Sequence, residues 1–391
     1  MRTIKLTSVS VAVLLATSCA TTAPQKTERE EAVKTAVATP VAWATEVAKN
    51  AAKQVDVSEK WLESFNDPLM LKLIKEGKAN SLDLKAAAGN MDKAWLLAKQ
   101  SGAALKPNAE LNLGTSQSGS AASGPSKRDI NVGLTASWEV DVWGRLKAGV
   151  SAAEASAQAA QADYVFAQHS LSANIAKTYL KLIEAKQQAE ITRKSLSILK
   201  ETMRIAQVKY DNGDSSAQDV ALNRASLASA KEQLITIEGS QRDATRALEL
   251  LLGRYPNAEL DTPDVLPGLP TPPPEGIPSE ILERRPDIVA AERQIASAFN
   301  ATSQAKAARL PRLALTATAS GASRSLSDII DPANVAWQLG ANLIAPLFDG
   351  GKRKIDVEIA TVEQKQAISN YAQKALTAFQ RLKITWIRDL F

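Results

Sequence analysis

The side chains that could perform chemistry are few and lie far apart in this chain. His169 is the only histidine and falls in a helical pattern, where a surface or packing role explains it. No Gly-rich phosphate loop and no spacing typical of metal ligands occurs. The charged cluster at 284–287 is explained by a helix start, because Pro286 suits the first helical position and Asp287 the first turn. The sequence therefore predicts no enzyme, no cofactor and no metal site.

The N-terminus has the pattern of a secretory signal. Arg2 and Lys5 form a charged region, and Val9 to Thr17 form a short apolar stretch. This stretch is too short to span a bilayer and precedes small residues suited to cleavage. We expect residues 1–18 to be a signal peptide.

Cys19, the only cysteine, lies at the expected cleavage point. The segment Leu14–Cys19 resembles a bacterial lipobox, in which the thiol is lipidated, here expected as palmitate, and becomes the first mature residue. Ala16 stands where that pattern prefers Leu, and ordinary cleavage near Ala20 is the alternative. By resemblance to such lipoproteins, Ala20 in place of Asp favours sorting to the outer membrane. Residues 19–58, rich in Ala, Thr, Lys and Glu, are predicted to form a tether.

Composition and charge exclude some classes of protein. The net charge is +5 over 391 residues, without a basic block that could follow a phosphate backbone, so we expect no nucleic-acid partner. Aromatic residues make up only 5%, and such a composition suits closely packed helices. No apolar run reaches the ~20 residues that a membrane-spanning helix needs. A membrane crossing by this chain would therefore use strands.

The chain contains an internal repeat. The stretch from Asp83 to Pro107 recurs as Asp287 to Pro311, and the stretch from Gly144 to Tyr164 recurs as Gly351 to Tyr371. A repeat of this length indicates two copies of one supersecondary unit. We place the first copy at 59–253, a Pro-rich linker at 254–280 and the second copy at 281–391.

Each copy contains two segments in which apolar and polar residues alternate, as in a strand with unlike faces. The predicted strands lie at about 109–117, 129–140, 313–320 and 334–344. Their length and their small polar residues suit tilted transmembrane strands, whereas a soluble antiparallel sheet with one wet face is the alternative. Membrane strands must close into a barrel, and single-chain barrels begin at about eight strands. Either this chain forms no barrel, or several chains share one.

Long helical patterns follow the strands. Residues 145–252 predict a helical hairpin with its tip near Gly213, where Ser216 and Asp219 have the spacing of a capping box. The second copy predicts a helix over about 351–380. A helix as long as the first must belong to a coiled coil or a bundle.

Ordered motifs give the chain a family resemblance. They are Trp61…Phe65-x-Asp67-Pro68, Leu73-Ile74…Asn80-x-x-Asp83-Leu84, Trp138-Glu139-Val140-Asp141-Val142-Trp143-Gly144-Arg145, Lys209-Tyr210-x-x-Gly213-x-x-Ser216-x-x-Asp219-Val220, Leu282-x-Arg284-Arg285-Pro286-Asp287-Ile288 with Ala291-Glu292, and Pro346-Leu347-Phe348-Asp349-x-Gly351. Over about residues 60–380 the chain resembles the TolC-like outer-membrane efflux factors, in particular the lipoprotein branch that serves tripartite multidrug pumps.

The resemblance implies a mainly helical protein with membrane β-strands, assembled as a homotrimer. Three chains would share one twelve-stranded β-barrel, continued by an α-helical periplasmic tunnel. The implied function is passive conduction of exported drugs or other small molecules across the outer membrane, in a lipid-anchored channel with a long periplasmic part. The implied partners are a periplasmic adaptor protein, an inner-membrane RND-type pump and outer-membrane lipids. The tip residues that would face the adaptor are Asn212, Gly213, Ser215, Ser216 and Asp219.

The sequence departs from the family pattern near its end. A second tip and return helix are expected after the helix at 351–380, but the chain stops at Phe391. We interpret the residues after 380 as the product of a frameshift or premature stop. The alternatives to a channel are therefore a non-conducting periplasmic coiled-coil lipoprotein and a non-functional truncated efflux factor.

Overall fold

The structure is a computed structural model. It describes residues 59–118, 127–269 and 284–388, except 324, 326–327 and 330, together with Glu28, Glu31, Ala32 and Thr35. The predicted signal peptide, Cys19 and almost all of the tether lie outside the described residues, as do residues 270–283 of the predicted linker.

The protein is mainly helical and contains one small antiparallel sheet. The helices are α1 (Pro68–Asn80), α2 (Leu82–Ala103), α3 (Arg145–Asp211), α4 (Ala217–Leu251), α5 (Pro286–Ala307) and α6 (Lys352–Arg388), and the strands are β1 (Asn108–Ser118), β2 (Lys127–Val140), β3 (Arg312–Ser323) and β4 (Val335–Ile344). Short 3₁₀ helices cover Glu59–Phe65 and Pro332–Asn334. Among the described residues no helix is both long and apolar enough to cross a membrane.

Three ends differ by two or more residues from the ranges expected from sequence. β2 begins at Lys127 rather than near 129, β3 ends at Ser323 rather than near 320, and α6 continues to Arg388 rather than ending near 380. Residues 381–388 contain neither Pro nor Gly, so nothing in the local sequence stops the helix there.

The chain divides into two compact units. The sheet unit combines the described parts of Met1–Pro40, Asn90–Ala162 and Ile281–Phe391 and contains β1 to β4. The hairpin unit contains the described parts of Val41–Gly89 and Asp163–Glu280.

The core of the sheet unit lies between α5 and α6. Pro286 begins α5, where its missing N–H costs no hydrogen bond. Ile295 and Phe299 of α5 then pack with Tyr371 and Ala375 of α6. The small side chains on α6 let the two helices approach closely.

The core of the hairpin unit gathers apolar side chains from α1, α3 and α4. Met70, Ile175 and Leu248 are fully buried there. Tyr179 is buried with them, and its hydroxyl donates a 2.7 Å hydrogen bond to Asp67, whose other carboxylate oxygen caps α1. Burial, with that hydrogen bond to a carboxylate, raises the pKa of Tyr179 far above its usual value.

Candidate functional site

The first part of the candidate site is the turn at the tip of the α3–α4 hairpin. Gly213 adopts a positive φ of 84°, which favours glycine because it has no Cβ. The N–H of Gly213 bonds the carbonyl of Tyr210 at 3.0 Å, and that of Asp214 bonds Lys209 at 2.8 Å. This is a Schellman motif, and it satisfies the last carbonyls of α3.

The helix α4 begins with a complete capping box. The hydroxyl of Ser216 accepts from the N–H of Asp219 at 3.1 Å, and the N–H of Ser216 donates to the Asp219 carboxylate at 3.2 Å. The same carboxylate also receives the hydroxyls of Ser216 at 2.8 Å and Ser215 at 3.1 Å. The Ser216 hydroxyl, its backbone N–H and the Ser215 hydroxyl together lower the pKa of Asp219, because each donates to the charged form.

The turn brings together all five predicted tip residues, and its side chains face solvent. Asn212, Gly213, Ser216 and Asp219 are exposed and Ser215 is half-buried. The exposed groups are a negative charge, hydroxyls and an amide. They can form hydrogen bonds with a partner protein, and they contain no nucleophile paired with a base.

The base of the same hairpin holds a residue that sequence reasoning missed. Glu249 is only 2% exposed. Its carboxylate accepts hydrogen bonds from the backbone N–H groups of Ala258, Glu259 and Leu260 at 2.8, 2.9 and 3.1 Å. These bonds hold the segment that leaves the hairpin. No motif marks Glu249, because its partners are backbone groups of an irregular segment.

Two further charged contacts fix the base. Lys186 of α3 bonds Asp261 at 3.0 Å and Asp264 at 2.7 Å, and these contacts raise the pKa of Lys186. Arg254 pairs with both carboxylate oxygens of Glu76, which lowers the pKa of that carboxyl. We call Glu249, Lys186 and Arg254 the base anchors.

The second part of the candidate site is the sheet. Its strand order is β1-β2-β3-β4, and every pair is antiparallel. The register pairs Leu111 with Leu134, Leu134 with Ala319, and Ala319 with Trp337. Directly opposite residues share a face. The apolar sets of all four strands therefore lie on one face of the sheet, and the small polar sets lie on the other.

The end of the sheet nearest the long helices is held by specific contacts. Arg145, the first residue of α3, forms a salt bridge at 2.9 Å with Glu139 of β2. Asp141 caps α3 by accepting from the N–H groups of Leu146 and Lys147 at 3.1 and 2.8 Å. Asp349 caps α6 in the second copy in the same way. The Arg145–Glu139 salt bridge thus joins β2 to α3, and the two Asp residues fix the helix starts that follow β2 and β4.

Within the described residues, no group of three or more His, Cys, Asp and Glu side chains could hold a metal ion. The candidate functional features are therefore a polar turn in the hairpin unit and, separately, a two-faced sheet in the sheet unit.

Comparison with known proteins identifies the family. The family model described as "Outer membrane efflux protein" matches residues 73–254 and 277–384, which is more than half of the chain. The chain belongs to the outer membrane efflux protein family.

Individual relatives agree with this assignment. The pyoverdine export outer membrane protein OpmQ of Pseudomonas aeruginosa is 31% identical over 344 residues, covering 84% of this chain and 72% of the relative. The probable outer membrane lipoprotein SilC of Salmonella typhimurium is 28% identical over 333 residues, covering 83% of this chain and 71% of the relative. Both relatives are described as outer membrane proteins, OpmQ for pyoverdine export and SilC as a lipoprotein, and this chain is likewise an outer membrane protein.

A solved structure agrees as well. The outer-membrane channel OprN superimposes with a TM-score of 0.79 and 25% identity, covering 87% of this chain and 78% of that chain. The efflux-protein resemblance that the sequence motifs carried is therefore confirmed.

Proposed function

We propose that three copies of this chain form one channel of a tripartite efflux system. Each copy contributes four strands to a twelve-stranded barrel in the outer membrane, and the long helices form a tunnel in the periplasm. Exported drugs or other small molecules then pass through passively from a periplasmic adaptor and an inner-membrane RND-type pump. The energy comes from the pump, so the channel itself performs no reaction.

The observation that carries this proposal is the register of the sheet. It gives one continuous apolar face, as lipid requires, and one face of small polar residues, as a water-filled lumen requires. From Ile130 to Val140 the face extends about 34 Å along β2, and a tilt of ~40° reduces this to about 26 Å, close to the apolar band of outer-membrane barrels.

The two edge strands of the sheet support a barrel that is closed by several copies of the chain. β1 and β4 are the two edge strands, and they run in opposite directions because the order alternates. An unpaired edge is not tolerated in lipid. β4 of one copy can pair with β1 of the next in the antiparallel sense that the sheet already uses.

The tip residues are proposed to contact the adaptor. Asn212, Gly213, Ser215, Ser216 and Asp219 form an exposed polar turn whose backbone is fixed by its own hydrogen bonds. A preorganised turn loses little conformational entropy when a partner binds. Pull-down of the adaptor with Asn212→Arg, a change outside the capping box, tests this contact, and undiminished binding would contradict it.

We also propose that Cys19, outside the described residues, is lipidated and anchors the chain in the outer membrane. The lipobox-like sequence supports this, as does the description of the relative SilC as a lipoprotein. Cells labelled with radioactive palmitate should yield labelled wild-type protein and unlabelled Cys19→Ser protein. Equal labelling of the two would contradict it.

Conductance in planar bilayers tests the channel. The full chain should give stable conductance steps. Leu339→Arg on the apolar face should lose insertion, because Arg costs about 2–4 kcal/mol on the lipid face of a barrel. Gln338→Arg, the neighbouring residue on the polar face, should still insert and change only ion selectivity. A chain that never conducts, or equal loss in both variants, would favour a non-conducting scaffold.

A cellular assay separates efflux from passive uptake. A deletion strain should become hypersensitive to exported compounds, and the chain should restore resistance only when the adaptor and pump are present. Rescue without them would contradict a tripartite role.

A further inference from the structure

Helix α5 contacts other helices on two opposite faces. Ile295 and Phe299 pack with α6, as described above. Ser297 and Gln304 lie about half a turn away around the helix, at 100° per residue, and contact α3 instead. The second copy of the repeat thus has a helix on each side of α5.

The contact between α3 and α5 is close and specific. The hydroxyls of Ser156 and Ser297 are 2.8 Å apart, and Ser297 also donates to the carbonyl of Ala152 at 2.9 Å. A Cβ added to Gly149 would lie only 2.7 Å from Nε2 of Gln304. The stripe on α3 that forms this contact therefore consists of Gly149, Ala152 and Ser156.

The internal repeat gives each side of this contact a counterpart. Asp83 matches Asp287, so Ser297 and Gln304 of α5 correspond to Lys93 and Gln100 of α2. By the match of Gly144 with Gly351, the α3 stripe corresponds to one on α6, formed by Asp356, Ile359 and Glu363.

Both counterparts are exposed, whereas both originals are buried or half-buried. Ala152 of α3 is 8% exposed, but its counterpart Ile359 of α6 is 52% exposed. Lys93 and Gln100 of α2 are exposed, and so is Leu96 between them, at 65%. The chain therefore presents two halves of a contact that it makes once internally.

We propose that the α6 stripe of one copy packs against the α2 stripe of a second copy and thereby repeats the α3–α5 contact between subunits. The hydrogen bond between Ser156 and Ser297 becomes, at the equivalent positions, an ion pair between Glu363 and Lys93. Asp356 likewise lies opposite Gln100, which can donate to it. This pairing rests on the proposed trimer and specifies which helices join its subunits.

The two halves also decide which kind of interface the contact forms. The two halves lie on different surfaces of the chain, so the interface is heterologous, and repetition gives a ring when the rotation closes. The opposite charges of Glu363 and Lys93 select this register and disfavour pairing of like stripes.

Charge reversal tests the ion pair in the full chain, purified in detergent and weighed by light scattering. Lys93→Glu or Glu363→Lys should each weaken trimer formation by roughly 5-fold per contact, because like charges then face each other. The double variant Lys93→Glu/Glu363→Lys should restore it. Lys99→Glu and Glu358→Lys, on other faces of the same helices, are the matched controls. Failure of the double variant to recover would overturn the pairing.

Cross-linking between tagged copies tests the geometry. Chains carrying Lys93→Cys with one tag and Glu363→Cys with another are co-expressed and treated with a short bismaleimide. A product carrying both tags is expected, and chains with native Cys19 alone should give none. Trimers that conduct but do not cross-link would overturn this inference and leave the channel standing. Wild-type chains that stay monomeric would overturn both proposals.

Discussion

The tip and the base of the α3–α4 hairpin use the same turn in opposite surroundings. Gly213 follows α3 with a φ of 84°, and Gly253 follows α4 with a φ of 74°. Both helices end in a Schellman motif. An added Cβ at Gly213 would meet nothing within 4 Å, whereas one at Gly253 would lie 2.9 Å from the carbonyl oxygen of Asn80.

The difference shows what a local motif leaves undecided. The base anchors and the close approach of Asn80 tie one turn to the rest of the hairpin unit, while the other turn keeps its polar side chains in solvent. The contacts at the base indicate a structural role for that turn, and the exposed polar groups of the tip suit recognition.

The largest expected effect is at the base. Glu249→Ala should lower the free energy of unfolding by about 3 kcal/mol or more, because three backbone N–H groups lose a charged acceptor in a buried place. Urea unfolding in detergent, followed by circular dichroism, measures this. Glu232→Ala, an exposed position of the same helix, should change it by less than ~0.5 kcal/mol. Equal losses of stability for Glu249→Ala and Glu232→Ala would contradict the structural role of Glu249 at the base.

The two turn glycines give a matched pair. Gly213→Ala should cost about 1 kcal/mol, since only the positive φ is unfavourable for alanine. Gly253→Ala should cost at least about 2 kcal/mol, because the Cβ also collides with a backbone carbonyl that cannot move away freely. The same unfolding assay compares them. A larger loss of unfolding free energy for Gly213→Ala than for Gly253→Ala would contradict the structural role given to the turn at the base.

The cap at the tip should have a smaller, local effect. Ser216→Ala should destabilise the first turn of α4 by about 1 kcal/mol, visible as faster hydrogen exchange of the Asp219 and Val220 amides. Ser229→Ala, exposed in the middle of α4, serves as the control and should leave those amides unchanged. If the base anchors are independent of the tip, the urea concentration at the midpoint of unfolding should hardly differ between Ser216→Ala and the wild type. A large global loss would show that the two ends are coupled.

The smallest effect is the pH response of the tip. The pKa of Asp219 is lowered in the fold, so its stabilisation is present above the ordinary carboxyl pKa of about 4 and is lost as the pH falls through the folded value. The protection factors of the amides at the start of α4, which correct for the slower intrinsic exchange in acid, should therefore fall as the pH is lowered. Asp219→Asn should remove this dependence. Persistence of the acid response in that variant would assign it to another group.

Sequence patterns located the elements well, because periodicity and turn chemistry are local properties. The alternation of Ile130, Val132 and Leu134 marks a strand, and Ser216 with Asp219 marks a helix start, whatever surrounds them. Spacing alone therefore located the turn near Gly213 and the start of α4, and the family resemblance added the five tip residues as an adaptor-facing set. That they contact an adaptor stays a prediction.

Burial could not be predicted in the same way. Trp95 in α2 and Phe299 in α5 occupy equivalent positions of the repeat, yet Trp95 is 40% exposed and Phe299 is 7% exposed. Equivalent sequences form equivalent helices, but exposure depends on the helices that come to lie beside them. The base anchors escaped notice for a related reason, since Lys186 meets Asp261 and Asp264 only after the chain has turned back along the hairpin.

The sequence by itself determined the order of helices and strands, the internal repeat, the tip and the family, because each is written in residues close together or in ordered motifs. Only the tertiary structure decided that all four apolar strand faces coincide, that Glu249 holds the base, and that the α2 and α6 stripes remain exposed. The physical reason is that pairing register and burial depend on which distant segments meet, and no local preference encodes that meeting.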